Sequence, residues 1–205
     1  MLIHAGLLLR NKFTVLVPDS RGHGLSGGPI VTYGIRESSD VRCWADRLFQ
    51  EPRVGRLYGI GQSLGAATLL QSLRVEPRFR AVVADSPFAN FEEIAYERLQ
   101  QVSGIPQLAF WPVVRLGFVY ADLTERVDLR QASPLESVRA TRVPILLIHG
   151  AADTNIPPHH SDELHAANPG STKLWIVPGA SHVASLGTEP ETYERNVVDW
   201  FRSHP

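Results

Sequence analysis

Five short apolar segments recur along the chain, and they constrain its fold more than any other feature. They are FTVLV (13–17), RLYGI (56–60), AVVA (81–84), PILLIH (144–149) and KLWIV (173–177). Each is apolar almost throughout instead of alternating with polar residues, which is typical of parallel strands that are covered on both faces. The segments therefore predict the strands of a mostly parallel sheet.

Helical patterns lie between these segments. Apolar stripes with the spacing of a helix run over residues 41–48 and 193–201. The opening residues MLIHAGLLLR have no basic n-region and only a short apolar run, so we expect a first helix that packs on the sheet and not a signal peptide. Strands and helices that alternate in this way predict a three-layer α/β domain.

One long segment interrupts the alternation. Residues 86 to about 141 contain no convincing strand pattern but carry many aromatic side chains. A connection of this length inside a compact domain is usually functional, so we expect a mostly helical cap over the edge of the sheet. A pair of ordinary packing helices is the alternative. No repeat or linker-like composition divides the chain, so residues 1–205 are predicted to form one domain.

Length, charge and cysteine content narrow the expected partners. A net charge of −1 gives no reason to expect a nucleic acid or an anionic membrane as partner. No apolar run approaches the roughly 18–20 residues needed to cross a bilayer. The single cysteine, Cys43, is expected to be a small core residue, and it cannot form an internal disulfide. We therefore expect a cytoplasmic protein, whose oligomeric state the sequence does not predict.

The stretch RLYGIGQSLGAATLLQSL (56–73) supports two different hypotheses. The first is a dinucleotide site, in which Gly59, Gly61 and Gly65 approach a pyrophosphate and Asp85 binds a ribose. The third glycine is one residue late for that fingerprint, and the unit follows an earlier strand and helix instead of opening the fold. A dinucleotide-dependent oxidoreductase is therefore the weaker hypothesis.

The second hypothesis is a nucleophilic serine, since GQSLG fits the pattern G-x-S-x-G. Ser63 would lie on a sharp turn from strand to helix, which closes only if the residues two before and two after it are small. Gly61 and Gly65 meet that requirement. The backbone N–H of Leu64, at the start of the helix, would donate to a developing oxyanion.

A base and an acid follow Ser63 in the chain. Asp153 comes just after the segment PILLIH, and His182 follows KLWIV. The carboxyl ends of parallel strands lie at one edge of a sheet, so these side chains and Ser63 are expected to meet there. A serine nucleophile needs a general base, and the base needs an acid to orient it.

Other candidates have plainer explanations. Asp85 is an alternative acid, although DSPF (85–88) is better explained as the entrance to the insertion. His159, His160 and His165 suggest a metal site, but no cysteine or carboxylate cluster adjoins them in the sequence. We favour a solvated helix face for these histidines and predict no metal site.

Four motifs together resemble the α/β-hydrolase superfamily over essentially the whole chain: PDSRGHGLSGG, GQSLG, HGAADTNIP and PGASH. The chain looks most similar to bacterial serine hydrolases of the serine-aminopeptidase and prolyl-oligopeptidase-like branches. The resemblance implies Ser63 as nucleophile, Asp153 as acid and His182 as base. It also implies a small ester substrate, less readily an amide or peptide-like one, and no metal or organic cofactor.

The chain departs from this family at its start. In the family another strand precedes residues 13–17, lies between them and residues 56–60, and ends in a His-Gly loop that supplies a second oxyanion N–H. Either the native product extends upstream, so that the fold here is N-terminally truncated, or residues 13–17 pair directly with residues 56–60. A missing oxyanion donor costs about 100- to 1000-fold in turnover in comparable sites. We therefore expect weak activity from this chain, or a binding protein without catalysis.

Overall fold

A parallel sheet forms the centre of the computed structural model, which describes residues 1–28, 30–104 and 107–205. Four strands are present among these residues, in the spatial order β1-β2-β3-β4, and neighbouring strands all run parallel. The predicted α/β architecture is confirmed. The strands are β1 (Leu57–Gln62), β2 (Phe79–Asp85), β3 (Ile145–Gly150) and β4 (Thr172–Val177).

Helices connect and cover the strands. Several begin at residues suited to a first turn: the Asn90 side chain accepts hydrogen bonds from the N–H groups of Glu92 and Glu93, and Pro190 opens the last helix. The helices are α1 (Leu2–Arg10), α2 (Glu37–Phe49), α3 (Leu64–Ser72), α4 (Phe91–Ser103), α5 (Gln107–Glu125), a short 3₁₀ helix (Leu129–Gln131), α6 (Pro134–Ala140), α7 (His159–Ala167), α8 (Ser185–Thr188) and α9 (Pro190–Arg202).

The sheet is buried on both faces, which explains its unbroken apolar strands. Val82 and Val83 are neighbours in β2 and point to opposite faces, yet both are fully buried. On one side Val82 packs with residues of α3, such as Leu70. On the other side Val83 packs with residues of α1 and α9, such as Leu7 and Phe201. The three layers predicted from the alternation are therefore present.

The strand predicted at residues 13–17 is absent. Among the described residues β1 pairs only with β2, and a cavity of about 1400 Å³ lies between its other edge and residues 12–18. The suggestion that residues 13–17 pair directly with β1 is therefore wrong. Phe13 still packs edge to face on Tyr58, with ring centroids 6.0 Å apart, so the segment contributes side chains to the core without backbone pairing.

Cys43 is exposed, and its predicted place in the core is wrong. The buried side of α2 is centred on Ala45, with Val41 and Leu48 partly buried against the same cluster. Cys43 precedes Ala45 by two residues, which turns its side chain about 200° around the helix, toward solvent.

The long segment between β2 and β3 is mostly helical and contains no strand among its described residues. It comprises α4, α5, the 3₁₀ helix and α6, while residues 105–106 of the predicted insertion lie outside the described residues. Within the described part of the chain, none of the helices combines the length and the apolar character that a membrane crossing requires.

Two buried histidines predict a loss of stability in acid. Burial, with a smaller contribution from His159, lowers the pKa of His160 to about 3, and burial lowers that of His4 to about 4. In the unfolded chain these histidines bind a proton near pH 6.5, whereas in the folded chain they stay neutral down to about pH 4. The contribution of these histidines to the free energy of unfolding should therefore be fully present above pH 6.5. At pH 5 the free energy of unfolding should be lower by about 1–2 kcal/mol per histidine. Urea denaturation at pH 7 and at pH 5 measures this loss.

The variant H160Q tests the contribution of one of these histidines. It should be less stable at pH 7 but show a smaller loss between pH 7 and pH 5 than the unsubstituted chain. H23Q, at an exposed histidine, serves as the control and should keep the full loss. A loss in H160Q as large as in H23Q would contradict the prediction.

Candidate functional site

Ser63 stands alone between β1 and α3 in an unusual backbone conformation. Its φ of 51° and ψ of −122° place it on the left-handed side, where a residue with a side chain is strained by about 1–3 kcal/mol. The Ser63 N–H donates to the carbonyl of Asp85 over 2.8 Å, which ties the turn to the end of β2. The turn projects the Ser63 side chain beyond the carboxyl edge of the sheet.

The glycines around Ser63 have different structural reasons. A Cβ on Gly61 would lie 2.5 Å from the carbonyl oxygen of Gly65 and 2.6 Å from its carbonyl carbon, so this position excludes any side chain. A Cβ on Gly65 would meet nothing within 4 Å. The expectation that both must be small is therefore correct for Gly61 only, because Gly65 contributes its backbone to the contact. Gly59 gives clearance to the Leu69 side chain of α3.

Three predicted site residues lie within hydrogen-bonding distance of one another. His182 Nε2 is 2.9 Å from Ser63 Oγ, and His182 Nδ1 is 2.8 Å from Asp153 Oδ2. Asp153 lies in the loop after β3, and His182 lies in the loop after β4. These loops touch through a hydrogen bond from the Ala152 N–H to the Ala180 carbonyl at 2.9 Å. The parallel strands thus deliver all three side chains to one edge of the sheet.

The Asp153 carboxylate is buried but well supplied with donors. Its Oδ1 accepts hydrogen bonds from the N–H groups of Asn155 and Ile156, each at 2.9 Å, and its Oδ2 faces His182. Burial opposes ionisation, but hydrogen bonds from His149, His182 and the Ile156 N–H outweigh it and hold the pKa of Asp153 well below its usual range. Asp153 is therefore an anion at neutral pH.

Leu64 occupies the first position of α3, and its N–H lies in the first turn, where intrahelical acceptors are lacking. The same end of the helix carries the positive side of the helix dipole. These two properties suit a donor to negative charge beside Ser63. The oxyanion role of Leu64 stays a prediction.

Asp85 has a different environment from that of Asp153. It is fully buried, and its oxygens accept hydrogen bonds from Gln62, Tyr193 and Ser86 at 3.1–3.2 Å. Burial raises the pKa of this carboxyl, although those hydrogen bonds oppose the rise. Among the described residues Asp85 makes no hydrogen bond to His182. Its burial also leaves no surface on which a ribose could reach it.

The histidines of the segment PPHHSDELH do not form one group: His159 and His160 share a carboxylate, and His165 has a different partner. The predicted solvated helix face is wrong for His160, which is fully buried. His165 contacts the Thr172 hydroxyl at 2.7 Å, whereas His159 and His160 lie 3.1 and 3.2 Å from the carboxylate of Glu97 on α4. The His160 Nδ1 accepts from the Ala89 N–H at 3.3 Å, so its Nε2 carries the proton and donates to Glu97. A protonated Nε2 has no lone pair for a cation, and the predicted absence of a metal site stays a prediction.

Two residues of the site were missed by the sequence analysis. His149, the fifth residue of β3, and Ser161, on α7, are both fully buried behind Asp153. His149 precedes Asp153 by four residues within the motif HGAAD, which is a signal of proximity. Ser161 lies within the histidine segment and carries no sequence signal of its own.

Comparison with known proteins places the chain within one large group. Residues 2–195 match the family model described as "Alpha/beta hydrolase family". The uncharacterized protein YqkD of Bacillus subtilis is 30 % identical over 95 % of this chain, and the match spans 64 % of YqkD. The human acylamino-acid-releasing enzyme is 23 % identical over 99 % of the chain, which spans 29 % of that enzyme. The chain thus spans less than two thirds of these curated relatives.

A solved structure is similar to this fold over nearly the whole chain. The esterase Pf2001 of Pyrococcus furiosus superposes with a TM-score of 0.78 and 23 % sequence identity. The superposition covers 98 % of this chain and 75 % of the esterase. At this identity the likeness concerns the fold alone.

The contrast between Gly61 and Gly65 gives a paired prediction about stability. G61A should lower the free energy of unfolding by about 1–3 kcal/mol, because the new methyl group overlaps backbone atoms that cannot rotate away. G65A should change it by less than about 0.5 kcal/mol, because the space beside it is open. Urea denaturation of the two variants measures the difference. Equal destabilisation would contradict this account of the turn.

Proposed function

Because the chain belongs to the alpha/beta hydrolase family, we propose that it is a serine hydrolase that cleaves a carboxylic ester through an acyl-enzyme on Ser63. An amide or peptide bond is the less favoured substrate. The observation that carries the proposal is the unbroken line of hydrogen-bonding atoms from Ser63 through His182 to Asp153, at 2.9 and 2.8 Å. This is the arrangement that acyl transfer by a serine requires.

In the first half of the reaction Ser63 Oγ attacks the ester carbonyl. His182 Nε2 accepts the hydroxyl proton, and the imidazolium that forms is stabilised through its Nδ1–H by the Asp153 carboxylate. The Leu64 N–H donates to the oxygen that becomes negative. The low pKa of Asp153 supports this role, since the carboxylate stays ionised while His182 changes its protonation state.

Acylation is completed when His182 returns its proton to the leaving alcohol and the ester C–O bond breaks, which leaves the acyl group on Ser63. In the second half a water molecule loses a proton to His182 and attacks the acyl carbonyl, and His182 then returns that proton to Ser63 Oγ as the acyl–serine bond breaks and the acid is released. The scheme uses no metal ion and no organic cofactor. It asks of the chain only a nucleophile, a base, an oriented acid and a donor to the oxyanion.

We propose further that the described residues between 86 and about 141 form the cap of the site. Phe88 and Ile94 pack in one apolar cluster with Leu64 and Ile156, so the start of the insertion contacts the neighbours of both the nucleophile and the acid. Tyr33 stacks on Phe91 at the same place, with ring centroids 3.8 Å apart. Phe88, Ile94 and Ile156 are buried, so this cluster fixes the start of the insertion beside the nucleophile and the acid.

Two similar proteins support hydrolysis without defining the substrate. One is an esterase and the other an acylamino-acid-releasing enzyme. The match covers only part of each of these two proteins. Hydrolysis by this chain is therefore a proposal and does not follow from the activity of either longer protein.

The proposed nucleophile predicts selective covalent labelling. A fluorophosphonate probe should label the unsubstituted chain at Ser63 and should not label S63A, because the probe reacts only with an activated serine. S203A, at an exposed serine near the end of the chain, should label as the unsubstituted chain does. Equal labelling of S63A would refute the assignment. No labelling of the unsubstituted, folded chain would favour a binding protein without catalysis.

The proposed acid predicts a large effect of a small change. D153N keeps the shape of the side chain but removes its charge and leaves the His182 imidazole wrongly oriented. It should lower kcat for a short p-nitrophenyl ester about 10³- to 10⁴-fold. D162N, at an exposed position on α7, is the matched control and should keep its activity. An active D153N would show that another group orients His182.

A further inference from the structure

His149 lies behind the acid of the site and is held by three polar neighbours. Its Nε2 is 2.8 Å from the Ile156 carbonyl oxygen and 3.4 Å from Asp153 Oδ2, and its Nδ1 is 2.6 Å from Ser161 Oγ. Both His149 and Ser161 are fully buried. The proposed reaction assigns a task to neither.

The neighbours determine which nitrogen of His149 carries the proton. A carbonyl oxygen only accepts hydrogen bonds, so the nitrogen beside Ile156 must be the donor. The Nδ1 therefore accepts, and the Ser161 hydroxyl donates to it. The Nε2–H of His149 consequently donates to the Ile156 carbonyl at 2.8 Å, and Asp153 Oδ2 lies 3.4 Å from the same nitrogen.

We propose that His149, oriented by Ser161, is a positioning residue that holds Asp153 for its contact with His182. The polar line then runs over five side chains, from Ser161 through His149, Asp153 and His182 to Ser63. This inference rests on the proposed function and extends it to the groups behind the acid.

The geometry gives the positioning a physical basis. Oδ1 of Asp153 is fixed by two backbone N–H groups of its own loop, and Oδ2 lies between His149 and His182. A carboxylate with donors at both oxygens cannot rotate away from His182. His149 belongs to β3 in the centre of the sheet, so the carboxylate is supported by a rigid element and not by its loop alone.

A purely structural role for His149 would be to tie β3 to the following loop and α7. The structural role and the positioning role predict different effects on the pH dependence of kcat/KM at acidic pH. The ionisable groups that face His149 are Asp153, Asp85 on β2 and His160 on α7. If the polar N–H of His149 partly offsets the negative charge on Asp153 Oδ2, removing His149 leaves His182 as the neighbour of that charge. The stronger interaction then favours the imidazolium form of His182. A structural tie alone would not change this balance.

The decisive comparison uses H149L, which removes the donor, and H149Q, whose amide N–H keeps one. H149L should lower kcat for a p-nitrophenyl ester about 10- to 100-fold, with KM within about twofold, because a misplaced acid affects the reaction and not substrate binding. The acidic midpoint of kcat/KM should move to higher pH by about 0.5–1 unit. H149Q should restore most of kcat and most of the original acidic midpoint. S161A should have values between those of H149L and H149Q.

H165L is the matched control on α7, because that histidine contacts Thr172 and not the site. It should keep kcat and the acidic midpoint. An unchanged kcat in a folded H149L would overturn the proposal. A lower kcat with an unshifted acidic midpoint, and with no recovery in H149Q, would also overturn it. If H149L does not fold, H149Q and S161A carry the same comparison.

A measurement without turnover separates this proposal from the proposed function. In S63A the proton between His182 and Asp153 gives a low-field NMR resonance, which should shift or broaden when H149L is added and persist with H149Q. An unaltered resonance in S63A/H149L would overturn the positioning role. A shifted resonance in S63A/H149L, together with no labelling of the unsubstituted, folded chain by the fluorophosphonate probe, would keep the positioning role and refute the hydrolase.

Discussion

The contact between Gly61 and the backbone of Gly65 is the constraint on which the site depends. It allows β1 to turn directly into α3, and the turn forces Ser63 into a backbone conformation that a side chain normally avoids. The cost of that conformation must be met by its surroundings. Here the buried helix α3, with Ala66 and Ala67 against the sheet, and the hydrogen bond to Asp85 provide the support.

The acid side of the site follows a different principle. Asp153 is buried, which alone would favour a neutral carboxyl, but its donors reverse that preference. Two donors come from its own loop and one from the loop after β4, and His149 of β3 lies 3.4 Å from its Oδ2. The charge is therefore a property of several elements together. Asp85 shows the opposite result, since burial dominates over its hydrogen bonds.

Much of the fold and the site could be predicted from the sequence, because burial on both faces leaves an unbroken apolar pattern, as at Val82 and Val83. The same pattern failed at residues 13–17, since a strand also needs a neighbour and composition does not specify one. Ser63, Asp153 and His182 were named from motif and order. His149 was missed because its place depends on Ser161 and Ile156, which only the folded loop brings to it.

The open space beside Gly65 makes this position a starting point for protein engineering. Gly65 lines the cavity that also reaches Ser63, and a Cβ added there would meet no atom within 4 Å. A library of substitutions at Gly65 would therefore alter the walls next to the nucleophile while leaving the turn intact. Selectivity among ligands could be changed at this residue separately from stability, which the crowded Gly61 two residues before Ser63 does not permit.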